Sequence, residues 1–129
     1  MAKILIIDDE PDFSEMLAFR IEKSTSNQVF RSIDGEDGLK QVKEIHPDLI
    51  ILDVMMPKMD GLEVIKVLKE DASTRTIPVI ILTASVSPST INTFFKEGVF
   101  DFVIKPFEPA DLLTKIDQAL KKAADDIKQ

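Results

Sequence analysis

The feature that most constrains this chain is a set of short apolar runs that never alternate with polar residues: Ile4-Leu5-Ile6-Ile7, Leu49-Ile50-Ile51-Leu52 and Val79-Ile80-Ile81-Leu82. A strand with one face in water alternates apolar and polar side chains, so unbroken runs of this length belong to strands covered on both faces. Two further runs, Gln28 to Ser32 and Phe100 to Ile104, read as additional strands, the first polar enough for an edge. Helical patterns lie between them. Pro11 to Ser24 carries Leu17 and Ile21 at i, i+4, Gly35 to Ile45 carries Leu39, Val42 and Ile45, and Gly61 to Glu70 carries Leu62, Ile65 and Leu68. Pro88 to Glu97 presents Ile91, Phe94 and Phe95 before Gly98, and a last helix from Pro109 to Ala124 presents Leu112, Leu113, Ile116 and Leu120.

Strands alternating with helices predict an α/β fold: a doubly wound five-stranded parallel sheet in the flavodoxin-like order 2-1-3-4-5, with helices on both faces. At 129 residues the chain has room for one such domain, assigned to residues 1–124, with 125–129 a polar C-terminal tail or the start of a linker. No apolar run approaches the ~20 residues that span a bilayer, and the N-terminus lacks the pattern of a signal peptide. The expected setting is the cytoplasm. Without cysteine there is no disulfide, thiolate metal site or thiol nucleophile. The net charge of −7 opposes phosphate backbones and anionic membranes, which predicts no direct nucleic-acid partner and no membrane partner.

In a sheet of this kind ligands bind beyond the carboxyl ends of the strands. Asp8 and Asp9 follow the first strand, Asp53 the third, Thr83 the fourth and Lys105 the fifth. The topology therefore gathers three carboxylates, a hydroxyl and an ammonium at one edge. Carboxylates about 5 Å apart repel by roughly 3 kcal/mol per pair at an effective dielectric near 20, so the cluster calls for a cation. All-oxygen donors suit Mg²⁺, with Mn²⁺ as an alternative. An acid at a strand end is also an ordinary cap or loop residue, and it is the constellation that carries the inference.

Four segments, Ile7-Asp8-Asp9-Glu10, Leu52 to Gly61, Leu82-Thr83-Ala84 and Phe102 to Phe107, in this order and spacing, resemble the signature of two-component response-regulator receiver domains, the CheY-like family. The resemblance implies that Asp53 is the phosphoacceptor. It implies Asp9 and Asp53 as Mg²⁺ ligands, Asp8 as a ligand through water, and the Met55 backbone carbonyl as another. Thr83 and the Ala84 amide would bind phosphoryl oxygens, and Lys105 would pair with carboxylate and phosphoryl group. Thr83 and Phe102 would form the switch, with plain core packing the alternative for Phe102, and Phe13, Met16 and Phe19 on the first helix would dock the partner, with ordinary packing the alternative for Phe13 and Met16. Phe19 is also set apart by geometry, pointing some 200° from Leu17 on a helical wheel. Met55 and Ser85 flank the site where they would tune water access.

The function so implied is a phosphorylation-activated signalling switch rather than an enzyme, assisting its own phosphorylation and dephosphorylation. Its donor would be a histidine kinase or histidine phosphotransferase. Its output would be a downstream protein or a covalently linked domain, with a phosphorylation-dependent homodimer left open. The alternative is a constitutive protein-binding module not controlled by phosphorylation. A phosphatase of the dehalogenase type would need a second Asp where Met55 stands, and a nucleotide or flavin binder would need a glycine-rich loop where Asp8-Asp9-Glu10-Pro11 stands. His46, alone before Pro47, reads as a solvated helix end.

Overall fold

The computed structural model describes residues 1–84 and 87–128; Ser85 lies outside the described residues. Five strands, β1 (Lys3–Ile7), β2 (Gln28–Ser32), β3 (Leu49–Leu52), β4 (Val79–Thr83) and β5 (Asp101–Ile104), alternate with five helices. The helices are α1 (Pro11–Ser24), α2 (Gly35–Ile45), α3 (Gly61–Glu70), α4 (Pro88–Lys96) and α5 (Pro109–Lys128). All neighbouring strands run parallel, in the order β2-β1-β3-β4-β5. The three unbroken apolar runs are the three central strands, and every residue of those runs is buried.

Side chains leave a strand alternately to either face, so each run feeds two cores. Ile4, Ile6, Leu49, Ile51, Ile80 and Leu82 meet Leu17, Ala18 and Ile21 of α1 and Leu112, Ile116 and Ala119 of α5. Leu5, Ile7, Ile50, Leu52, Val79 and Ile81 meet Val42 of α2, Val64, Ile65 and Leu68 of α3, and Phe94 of α4. Burying one such aliphatic side chain contributes about 1.5–3 kcal/mol, so these two layers outweigh any single polar contact.

Local signals set the helix ends. Asp60 accepts the Glu63 amide while the Glu63 side chain returns to the Asp60 amide, closing a capping box at the start of α3. Asp34 and Ser87 cap α2 and α4 in the same sense, and Pro11 and Pro88 open α1 and α4. At the far end of α3 the buried Thr74 hydroxyl donates to the Leu68 carbonyl at 2.7 Å. Gly61 is required by close approach: a Cβ there would stand 2.8 Å from the Val54 Cα, which is backbone and cannot turn aside.

Some boundaries and faces differ from the sequence reading. α5 continues past Ala124 to Lys128, since Asp125 and Asp126 contain no helix-breaking residue. On α3 the buried stripe is Gly61, Val64, Ile65 and Leu68, with Leu62 only partly covered. On α4 Phe94 alone is buried and Phe95 is 42% exposed, because successive residues on a helix lie about 100° apart and this short helix buries one narrow stripe. His46 caps α2 in the left-handed region at φ 56°, solvent-exposed as expected.

Candidate functional site

The sheet's hydrogen-bond ladder runs one residue beyond the strands and places the chemistry. The Asp8 amide donates to the Ser32 carbonyl at 3.0 Å, the Asp53 amide to the Ile7 carbonyl at 2.9 Å and the Lys105 amide to the Thr83 carbonyl at 2.7 Å. These main-chain bonds fix where each side chain starts. Asp8 and Asp53 are 1% and 5% exposed, and Thr83, the last residue of β4, is fully buried.

Lys105 joins the acids. Its Nζ lies 3.1 Å from Asp8 Oδ2, 3.3 Å from Glu10 Oε1 and 3.9 Å from Asp53 Oδ2. Asp8 Oδ1 also accepts the Glu10 amide at 2.8 Å, and Asp53 Oδ1 accepts the Met55 amide at 3.2 Å. Carboxylate oxygens of Asp8, Glu10 and Asp53 lie within 4.8 Å of one another, close enough to share one metal ion's ligand sphere. Oxygen donors alone, with two of three acids drawn from strand ends, fit a hard divalent cation such as Mg²⁺.

The electrostatics show how far one ammonium goes. The Asp53 carboxyl is raised from its ordinary 3.8 to about 6, first by burial, then by the charge of Asp8, with Asp9 adding a smaller push. Lys105 and the Met55 amide pull the other way and do not cancel it. Burial disfavours the charged Lys105 side chain, yet its hydrogen bond to Asp8 and the charges of Asp8 and Asp53 prevail, and its pKa is raised.

Two of the three carboxylates expected from sequence, Asp8 and Asp53, come together with Lys105 and Thr83 at one edge. Asp9 stands outside the closest group, half-buried but near enough to act on Asp53. Glu10 takes the third place, and sequence reasoning missed it. No periodicity reports it: the chain bends at Asp9 beyond β1, with the Glu10 amide bonded back to the Asp8 carboxylate, and that turn brings the two acids together. Met55 and Ala84 are exposed beside the pocket, with the Met55 side chain 65% accessible.

Phe102, the expected switch residue, is half-buried, its ring 5.8 Å edge-on from that of Phe95. Lys115 of α5 donates to the Phe102 carbonyl at 3.0 Å and pairs with Asp101 at 3.1 Å. Of the docking candidates, Met16 and Phe19 are 64% and 63% exposed on α1. Phe13 is different: it packs on the core edge-on to Phe107, with ring centroids 6.2 Å apart, and its face lies 4.1 Å from Lys105 Nζ. That contact too was invisible in the sequence.

Residues 4–117 match the family described as the response regulator receiver domain. The chain is 32% identical over 124 residues to the DNA-binding response regulator MtrA of Mycolicibacterium smegmatis, covering 96% of this chain and 53% of that protein. It is 36% identical over 129 residues to the DNA-binding dual master transcriptional regulator RpaA of Synechocystis, covering 100% of this chain and 53% of that protein. The chain thus spans about half the length of these curated relatives. Among solved structures it resembles the signal receiver domain of a signal transduction histidine kinase from Syntrophus aciditrophicus, with TM-score 0.86 and 33% identity, covering 95% of this chain and 92% of that one.

These relatives correct the expectation that nucleic acid is absent from the partners, since MtrA and RpaA are both named as DNA-binding. The error has a physical source. A net charge of −7 describes only this chain, whereas about half of each relative lies outside the matched stretch. No helix among the described residues is long and apolar enough to cross a membrane.

Proposed function

The chain belongs to the response regulator receiver domain family of two-component signalling, and on that premise we propose that Asp53 takes a phosphoryl group from the phosphohistidine of a cytoplasmic kinase or phosphotransferase in a Mg²⁺-dependent reaction. The observation that carries this reading is the state of Asp53: a buried carboxylate beside Asp8 and Glu10, with Lys105 as the one cation at the cluster among the described residues. With a pKa near 6 it is about nine-tenths ionised at pH 7, hence nucleophilic, and the cation that its crowded acids call for would also neutralise an arriving phosphoryl group.

A carboxylate oxygen of Asp53 bonds to phosphorus as the donor's phosphorus–nitrogen bond breaks. The bonding pair leaves with the imidazole nitrogen, which takes up a proton. Lys105 stands where it can stabilise charge on the transferring oxygens, and the Thr83 hydroxyl and Ala84 amide are assigned to the remaining ones. Asp8, Glu10 and Asp53, with Asp9 and the Met55 carbonyl nearby, would hold the Mg²⁺, whose contribution when bound is charge neutralisation. Hydrolysis of the acyl phosphate by water returns the carboxylate and releases inorganic phosphate, so the chain resets itself. Phe102 is assigned the report to the outside, by changing pose when Thr83 engages the phosphoryl group. With MtrA and RpaA as the guide, the output is a DNA-binding region of a longer protein.

The test is intact-mass measurement after incubation with phosphoramidate, with and without Mg²⁺, on the wild type and Asp53→Asn. A Mg²⁺-dependent adduct that the substitution removes is the expected result. No adduct under any donor would leave a constitutive binding module instead.

A further inference from the structure

Among the described residues the Lys105 ammonium lies close to Asp8, Glu10, Asp53 and the face of Phe13. Three are carboxylates, and those same three form the group that a divalent ion would claim. The Phe13 ring is the neighbour among these for which such an ion does not compete. It is also held in place, since α1 carries it against the core and Phe107 meets it edge-on at 87°. An ammonium 4.1 Å from a ring centroid is well inside cation–π range, and its side chain, only 15% exposed, is shielded from the water that would weaken the contact.

From this geometry we infer that Phe13 is a positioning residue for Lys105: its ring holds the ammonium over Asp53 independently of the carboxylates, so that the cation is in place when a phosphoryl group arrives. The inference rests on the reading of Asp53 as phosphoacceptor and adds a residue on α1 to its machinery. It also reassigns Phe13. Met16 and Phe19 remain on the outer surface of α1, while Phe13 on the same helix faces the site.

The experiment compares the wild type with Phe13→Leu, which keeps an apolar side chain but removes the ring, and Phe13→Tyr, which keeps the ring. Two readouts are taken. The first is the rate of adduct formation with phosphoramidate and Mg²⁺; Phe13→Leu is expected to lower it about fivefold and Phe13→Tyr to restore it. The second is the NMR resonance of the Lys105 Cε protons in the unphosphorylated protein without Mg²⁺. The ring face shifts these protons upfield, and that shift is expected to vanish in Phe13→Leu and persist in Phe13→Tyr.

Unmoved Lys105 resonances in Phe13→Leu would overturn the inference whatever the rates. So would a moved resonance with an unchanged rate, or an equal loss of rate in both variants, which marks a packing role alone. A wild type that takes no phosphoryl group fails the functional reading itself, and the positioning role falls with it; the missing wild-type adduct tells that failure from the others.

Discussion

Replacing Asp53 by asparagine should make the folded chain more stable, by an amount that grows with pH. Asparagine keeps the side chain's shape and can still accept the Met55 amide, which bonds Asp53 Oδ1 at 3.2 Å. It removes the charge that burial and Asp8 make costly. The wild-type carboxyl is protonated in both folded and unfolded states below about 3.8, so its site is then unpenalised. As pH rises toward about 6 the unfolded chain has already lost this proton while the folded chain keeps it, and folding loses stability. The deficit is roughly 0.5 kcal/mol at pH 4, about 1.6 at pH 5 and close to its limit of about 3 by pH 7. Urea unfolding of both proteins in EDTA, at half-unit steps from pH 4 to 8, measures the difference, which includes the response of Asp8 and Lys105, whose charges are coupled to Asp53. A difference that does not change with pH, or a variant less stable than wild type at pH 7, would refute the claim that Asp53 is a strained anion.

Because the same strain is relieved by a bound cation, millimolar Mg²⁺ should raise the melting temperature of the wild type in differential scanning fluorimetry. Asp9→Ala should blunt that response while raising the melting temperature in EDTA. Gly61→Ala places a methyl 2.8 Å from the Val54 backbone and should cost about 1–3 kcal/mol in urea unfolding. Removing the α3 cap with Asp60→Ala should cost about 1 kcal/mol by the same assay, with no effect on phosphoryl uptake.

The parts of this fold that could be read from the chain are those where one physical demand dominates a segment. Ile4 to Ile7, Leu49 to Leu52 and Val79 to Leu82 must be covered on both faces, which makes them central, and a parallel sheet then sends Asp8, Asp53, Thr83 and Lys105 to one edge. What stayed hidden depends on finer balances. Glu10 joins the acids through a bend at Asp9 that the Asp8 carboxylate holds by accepting the Glu10 amide. Val64 is fully buried and Leu62 only partly covered, a matter of how α3 is rotated on the sheet. Phe94 and Phe95 are indistinguishable by composition, and the packing of α4 decides between them. The contact between Phe13 and Lys105 joins α1 to the end of β5, and no periodicity within either segment reports it. The partner error was of another kind, a property of one domain extended to a protein whose relatives are about twice its length.

The ladder that carries on past the strands has a consequence for how the site moves. With the amides of Asp8, Asp53 and Lys105 bonded to Ser32, Ile7 and Thr83 carbonyls, the backbone under the chemistry belongs to the same cooperative unit as the sheet. Those amides should exchange with solvent as slowly as the central strands do, through opening of the whole domain. The site therefore has no private way to melt. Whatever the chain does in signalling must be done by side chains turning and by the loops beyond, around a floor that holds as long as the fold does.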